Sequence, residues 1–253
     1  MIPKKIHYCW FGGKELPEDV KKYIDTWKKY CPDYEIIEWN EKNFDLTQNQ
    51  YCKEAYEAKK WAFVSDYARL KVLYDNGGIY MDTDVEVCKS LDRFLKYDWF
   101  SGFESEDKIS TGTMGACRKS TVIKIFLDDY TGRNFIKDDG SFDLTTNVEK
   151  MTKILKENYK VQLNNTYQIF GDNNLLLPFD YLCAKSFFTG DINKTENTYT
   201  IHHFKGTWRT KNDIRKDKVR KTLVKCFGEN FVKILFKIKK TIKKTIKKVK
   251  NEI

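Results

Sequence analysis

The stretch from Ser65 to Val85, SDYARLKVLYDNGGIYMDTDV, constrains this chain more than any other. Tyr67, Leu70 and Tyr74, with Val64 and Leu73, share one side of a helix that the spacing predicts from about Phe63. Gly77-Gly78 stops it, since glycine enters the backbone region that other residues avoid. Ile79 to Met81 then reads as a short strand delivering Asp82-Thr83-Asp84 at its end. Carboxylates at i and i+2 beside an open turn suit a hard divalent cation, which keeps positions free for phosphate oxygens. The triplet alone is weak, and a pair of solvated turn carboxylates is the plain alternative.

The flanking sequence supplies a frame for that strand end. KKIHYCWFGG predicts a strand from Lys5 to Trp10 that breaks at Gly12-Gly13. Pro17 opens a helix that runs to about Tyr30 and ends before Pro32. Tyr34 to Trp39 alternates as a second strand, and residues 49–60 read as helical. After Val85 to Cys88, DWFSGFE and TGTMGACR read as strands, Thr121 to Tyr130 and Asn147 to Glu157 as helices, and TYTIHHF (198–204) as a late strand. Such alternation predicts an α/β domain with a mixed, largely parallel central sheet flanked by helices.

With 253 residues, 41% of them apolar, the chain can bury one sizeable core. No run approaches eighteen apolar residues, and MIPKKIHYCW lacks the apolar stretch of a signal peptide. Seven scattered cysteines without a CxxC pair fit reduced thiols in a cytoplasmic protein. The net charge of +10 invites a nucleic-acid partner, but its distribution excludes one: residues 231–253 carry nine lysines and a single acid, leaving +2 for all the rest.

Three segments, IPKKIHYCWFGG, AFVSDYARLKVLYDNGGIYMDTDV and TIHHFKGTW, together resemble the sugar transferases with a DXD motif, the family 32-like glycosyltransferases. That group includes bacterial capsular polysaccharide glycosyltransferases, yeast-type mannosyltransferases and the catalytic domains of clostridial glucosylating toxins. FIKDDGSFDLTTN (135–147) resembles the capsular branch, and the likeness spans roughly residues 1–210 in order. It implies a GT-A-type fold over 1–228 and a retaining, Mn2+- or Mg2+-dependent transfer from a nucleotide diphosphate sugar, UDP-linked first, with GDP-mannose open. The acceptor it implies is a growing, lipid-linked surface glycan.

The resemblance also assigns residues. Asp84 would coordinate the metal directly, with Asp82 touching it through water or holding the ribose. Asp66 and Arg69, one helical step apart, would hold the donor sugar, the alternative being an ordinary i,i+3 ion pair. Ser65 would bond the donor or cap the helix, and Tyr80 would touch the nucleotide or simply pack. Trp10 would stack on the nucleobase, with Gly12 letting the ligand near the backbone. One histidine of His202-His203 would complete the metal site, His203 being favoured, and Trp208 would cap the diphosphate. Asn147, Asp172 and Asn173 are the acceptor-side candidates, with turn chemistry as the competing reading.

The C-terminal stretch 229–253 has its own pattern. Phe231, Leu235, Ile238, Ile242, Ile246, Val249 and Ile253 recur at helical steps with lysines opposite. This predicts a basic amphipathic helix on an anionic membrane, peripheral at the inner face of a bacterial cell; a helix packed on the domain is the alternative. Two rival functions remain from the sequence. A DxD phosphohydrolase would also use Asp and a cation, but Glu86 stands where its motif carries Thr or Val. A non-catalytic membrane-binding protein would depend on the lysine-rich stretch alone.

Overall fold

The computed structural model describes residues 1–206, 211–228, 231–232, 234–236 and 238. They form two units, one from Met1–Lys185 and the described part of Ile192–Trp208, the other from Ser186–Asp191 and the described part of Arg209–Ile253.

The first unit is built on β1 (Lys5–Cys9), α1 (Glu18–Tyr30), β2 (Glu35–Trp39), α2 (Gln50–Glu57), α3 (Trp61–Asn76), β3 (Gly78–Met81) and β4 (Val85–Val87). It continues through β5 (Trp99–Ser105), β6 (Lys108–Ala116), α4 (Thr121–Asp128), α5 (Asn147–Tyr159), β7 (Gln168–Phe170), β8 (Asn174–Leu177), α6 (Phe179–Leu182) and β9 (Thr200–His202). Seven strands share one sheet in the order β2-β1-β3-β6-β5-β8-β7, while β4 and β9 form a separate antiparallel ribbon. The expected α/β class with a mixed sheet flanked by helices is present. Its parallel share is smaller than expected: β1–β2, β1–β3 and β5–β8 are parallel, but β3–β6, β5–β6 and β7–β8 are antiparallel. The reason is local. Only Glu106 and Asp107 separate β5 from β6, and so short a link permits a hairpin but not a crossover.

Side-chain alternation divides the core between the two sheet faces. Tyr80, Trp99 and Phe103 join Tyr67, Leu70 and Leu73 of α3, Phe126 of α4 and Leu155 of α5. Ile79, Met81 and Phe100 point the other way and join Trp27 of α1, Val85 of β4 and Leu182 of α6. His7, wholly buried in β1, binds this frame to the glycine turn. Its Nε2–H donates to Gly77 O at 2.8 Å, while Nδ1 accepts from Trp39 Nε1 at 3.1 Å. Gly78 is needed there, for at φ +108 an added Cβ would lie 2.7 Å from His7 Nε2.

In the second unit, α7 (Lys211–Phe227) carries Arg220, which donates to Phe187 O at 2.6 Å and lies 4.1 Å over the Phe187 ring. Among the described residues no helix is long and apolar enough to cross a membrane. Most of the expected amphipathic helix at 229–253 lies outside the described residues, as does Trp208.

Candidate active site and metal centre

The strand that ends on Met81 determines which way each following carboxylate turns. Tyr80 faces α3, and Asp82, two residues on, faces the same way. Asp82 N–H donates to Gly112 O of β6 at 2.8 Å, and Val85 N–H closes the turn on Asp82 O at 3.0 Å. Asp84 emerges beyond that turn and meets β9. Pairing of Val85 with His202 places the imidazole Nε2 3.2 Å from Asp84 Oδ1 and 3.8 Å from Asp82 Oδ2.

One donor atom from each of Asp82, Asp84 and His202 lies within 4.8 Å of the others. The preference for His203 is therefore corrected. The histidines follow one another along an extended chain and turn apart: His203 Nε2 bonds Glu86 Oε2 at 2.9 Å, and its ring stacks on Tyr23 at 4.8 Å. Gly112 makes room for the approach of His202, since a Cβ there would sit 2.8 Å from the ring atoms Cε1 and Nδ1. Two carboxylates and an imidazole around a glycine-lined space fit a divalent cation such as Mn2+ or Mg2+.

Arg69 organises the other side. Its side chain is 6% exposed, with Nη2 3.1 Å from Asp66 Oδ1 and Nη1 3.2 Å from Asp82 Oδ1. Nη1 also donates to Thr111 O at 2.8 Å, Nε donates to Ser65 O at 3.1 Å, and the guanidinium lies 4.7 Å over the Tyr80 ring. Tyr80 Oη donates to Asp82 Oδ1 at 3.0 Å, so Tyr80 packs beneath the site and orients its carboxylate. Ser65 is inside α3 and donates back to Trp61 O at 3.0 Å, which removes the helix-cap reading.

Electrostatics separate the carboxylates. Burial raises the pKa of Asp66 to about 6 although Arg69 pulls it down. Burial also opposes the charge on Asp84, yet His202 and the Lys205 N–H, 2.6 Å from Oδ2, hold its carboxyl down at about 2. Glu104, near the end of β5, was not singled out by sequence. Burial raises it to about 7, with His202 pulling down and Asp82 pushing up. The residue is half-buried. The segment FSGFES holds no residue spacing that would have marked it.

The remaining candidates divide. Trp10 is partly exposed, its indole N–H donating to Lys14 O at 2.6 Å. Gly12, at φ +98, packs against Trp61, where a Cβ would lie 2.9 Å from the indole, and its N–H donates to Glu41 Oε1 at 2.6 Å. Asn147 opens α5 beside the site, and both ends of its amide are engaged: Nδ2 donates to Asp66 O at 3.0 Å, and Oδ1 accepts from Tyr130 at 2.7 Å. Asp172 and Asn173 are corrected as acceptor candidates. They form the β7–β8 turn at the N-terminal end of β8, which runs parallel to β5, whereas Asp82 follows the C-terminal end of β3. Asn173 Nδ2 donates to Lys96 O at 2.8 Å, so turn chemistry accounts for it.

Comparison with known proteins finds relatives of part of this chain. Residues 17–101 match the family described as glycosyltransferase sugar-binding region containing DXD motif. An inositol phosphoceramide mannosyltransferase 3 of Schizosaccharomyces pombe is 33% identical over 122 residues, covering 45% of this chain and 33% of that protein. Inositol phosphoceramide mannosyltransferase 2 of the same yeast is 26% identical over 196 residues, covering 75% of this chain and 56% of that one. The chain thus spans between a third and somewhat over half of these relatives' lengths. Among solved structures, the PaToxG glycosyltransferase superposes with a TM-score of 0.47 at 21% identity, over 62% of this chain and 68% of the other.

Proposed function

We infer, from the DXD glycosyltransferase sugar-binding region at residues 17–101 and the Asp82–Asp84–His202 cluster, that this chain is a metal-dependent, retaining glycosyltransferase with a GT-A-type domain. It would move a hexose or N-acetylhexosamine from a nucleotide diphosphate sugar. The observation that carries the reading is the convergence of Asp82, Asp84 and His202 within 4.8 Å, beside the buried Asp66–Arg69 pair. Asp82, Asp84 and His202 would hold Mn2+ or Mg2+, which supplies Lewis-acid stabilisation of a leaving diphosphate.

The chain's own groups do the rest. Arg69 fixes Asp66 and Asp82 in one geometry, and Asp66 presents a second oxygen to sugar hydroxyls. Partly exposed Trp10, at the end of β1, offers an indole face to a nucleobase. A UDP-linked donor follows from the resemblance to the capsular branch. The mannosyltransferases among the relatives favour a mannosyl donor as the second reading.

The acceptor in this reading is a growing, lipid-linked surface glycan at the inner face of a bacterial membrane. The lysine-rich stretch at 229–253 would hold the protein there as a peripheral protein. Its described apolar residues Phe231, Leu235 and Ile238 are exposed, which suits that role.

A panel of nucleotide sugars, with release of nucleoside diphosphate followed in Mn2+, in Mg2+ and in chelator, tests the reading. Metal-dependent release that Asp84→Ala eliminates is expected. Release of phosphate from a generic aryl phosphate, with no nucleotide sugar consumed, would instead identify a phosphohydrolase.

A further inference from the structure

One carboxyl group among the electrostatic neighbours of His202 and Asp82 belongs neither to the cation cluster nor to the Arg69 pair. Glu104 stands near the end of β5, where the pairing with β6 shifts register twice, between Ser101 and Phe103 and between Phe103 and Ser105. Such irregularities bend a strand and re-aim its side chains, and they concentrate near active sites. Gly102 faces α6, where an added Cβ would lie 3.3 Å from Leu182 Cβ, and Glu104, two residues on, turns to that same side, away from Phe103.

Its electrostatic neighbours there are His202, Asp82 and Lys108. The carboxyl makes no hydrogen bond or ion pair with the described residues. Glu104 is only half-buried, so water can serve its carboxyl in place of a protein partner, and the group stays free to meet a ligand. It is not a fourth ligand either, since the cation cluster holds only Asp82, Asp84 and His202 among the described residues.

The strand order β3-β6-β5 sets Glu104 two strands away from Asp82, roughly 10 Å across the sheet. Asp66 and Arg69 occupy the other flank, on α3. A carboxylate repels a diphosphate, so the group that Glu104 receives is uncharged and rich in hydroxyls.

We propose that Glu104 binds the acceptor sugar, its carboxyl taking the hydrogen bond of the hydroxyl that attacks the donor. The assignment rests on the glycosyltransferase reading above. It gives the site an order across the sheet: donor sugar over α3, cation at the end of β3, acceptor hydroxyl over β5.

The test compares two fates of one donor in the full-length protein with Mn2+. Transfer is measured to a panel of methyl hexosides, and hydrolysis to water is measured in their absence. In Glu104→Gln the ratio of transfer to hydrolysis falls about 10- to 100-fold, the worth of a hydrogen bond to a charged group. Binding of nucleoside diphosphate with Mn2+, read by calorimetry, stays within a few-fold of the wild type. Glu104→Asp, which keeps the charge one methylene short, raises the KM for the methyl hexoside and loses less of the ratio; it also serves should the glutamine variant fold poorly.

An unchanged ratio overturns the proposal, as does a matching loss of nucleoside diphosphate binding, which would put Glu104 on the donor side. A wild-type protein that turns over no nucleotide sugar overturns the glycosyltransferase reading itself, and this assignment with it.

Discussion

Arg69 ties helix α3 to the strand end that carries Asp82, its Nη1 lying 3.2 Å from Asp82 Oδ1. The same guanidinium holds Asp66 at 3.1 Å, so one cation balances two carboxylates that would otherwise repel. Removing one member of a buried ion pair costs about 3–5 kcal/mol, because the remaining charges lose their compensation. Arg69→Ala should therefore lower the Tm by roughly 10 °C or more, as well as abolishing transfer. Thermal unfolding followed by circular dichroism checks this; a loss under a few degrees would mean that solvent already screens the pair.

The two adjacent histidines give opposite expectations. His202 shares the carboxylates of the cation cluster, whereas His203 is occupied by Glu86 and Tyr23. His202→Ala should weaken Mn2+ binding by at least about 10-fold, and His203→Ala should leave it within a few-fold. Titration calorimetry with Mn2+ distinguishes them. Equal losses in both variants would show that the ribbon as a whole, not one imidazole, sets the affinity.

That pair also shows where sequence stops being informative. Adjacent residues on a strand face opposite ways, which the sequence makes plain. Which of the two meets Asp84 depends on the register of β4 against β9, with Val85 opposite His202, a pairing between segments more than a hundred residues apart. The first ninety residues were legible because helices long enough to show a period alternate with strands and are punctuated by Gly77-Gly78 and Pro32. The strands β7 and β8 span three and four residues, too few for alternation to show, and α6 is a single turn. Asp172 and Asn173 were misplaced for that reason: without β7 and β8 as strands, FGDNN had no assigned end of the sheet. Glu104 was illegible because its electrostatic neighbours His202 and Asp82 come from segments distant in sequence, not from its own segment.

Acid should destabilise the fold through His7. Burial lowers its pKa from 6.5 to about 4 in the folded protein, and a protonated ring would turn an N–H toward Trp39 Nε1–H. The unfolded chain takes up this proton first, so the stability that neutral His7 contributes above pH 6.5 is lost as pH falls toward 4. The span corresponds to roughly 3 kcal/mol. Urea titrations at pH 7 and pH 4.5 measure it. His7→Asn should start less stable, having lost two hydrogen bonds, yet show a shallower decline over the same range. Parallel declines in the two proteins would assign the acid sensitivity to other groups.

Gly112 offers a way to disturb the cation site with little damage to the core. Its φ is not in the left-handed region, so alanine adds no backbone strain there, and the only obstruction is what a Cβ would touch. That Cβ would lie 2.8 Å from two atoms of the His202 ring, too close to persist, and 3.2 Å from Asp82 Oδ2, a tight contact that a shift of a few tenths of an ångström relieves. The backbone beneath is fixed by Asp82 N–H on Gly112 O, so the imidazole has to yield rather than the strand. Gly112→Ala should accordingly weaken Mn2+ binding and slow turnover by about 10-fold or more, the penalty for displacing a ligand's support. Its Tm should fall by only a few degrees, since overpacking at one flexible ring tip costs about 1–3 kcal/mol. Affinity and Tm measured on the same preparation decide the matter: a large Tm loss with normal affinity would mean the strand moves and His202 stays, and the glycine would then serve the fold instead of the site.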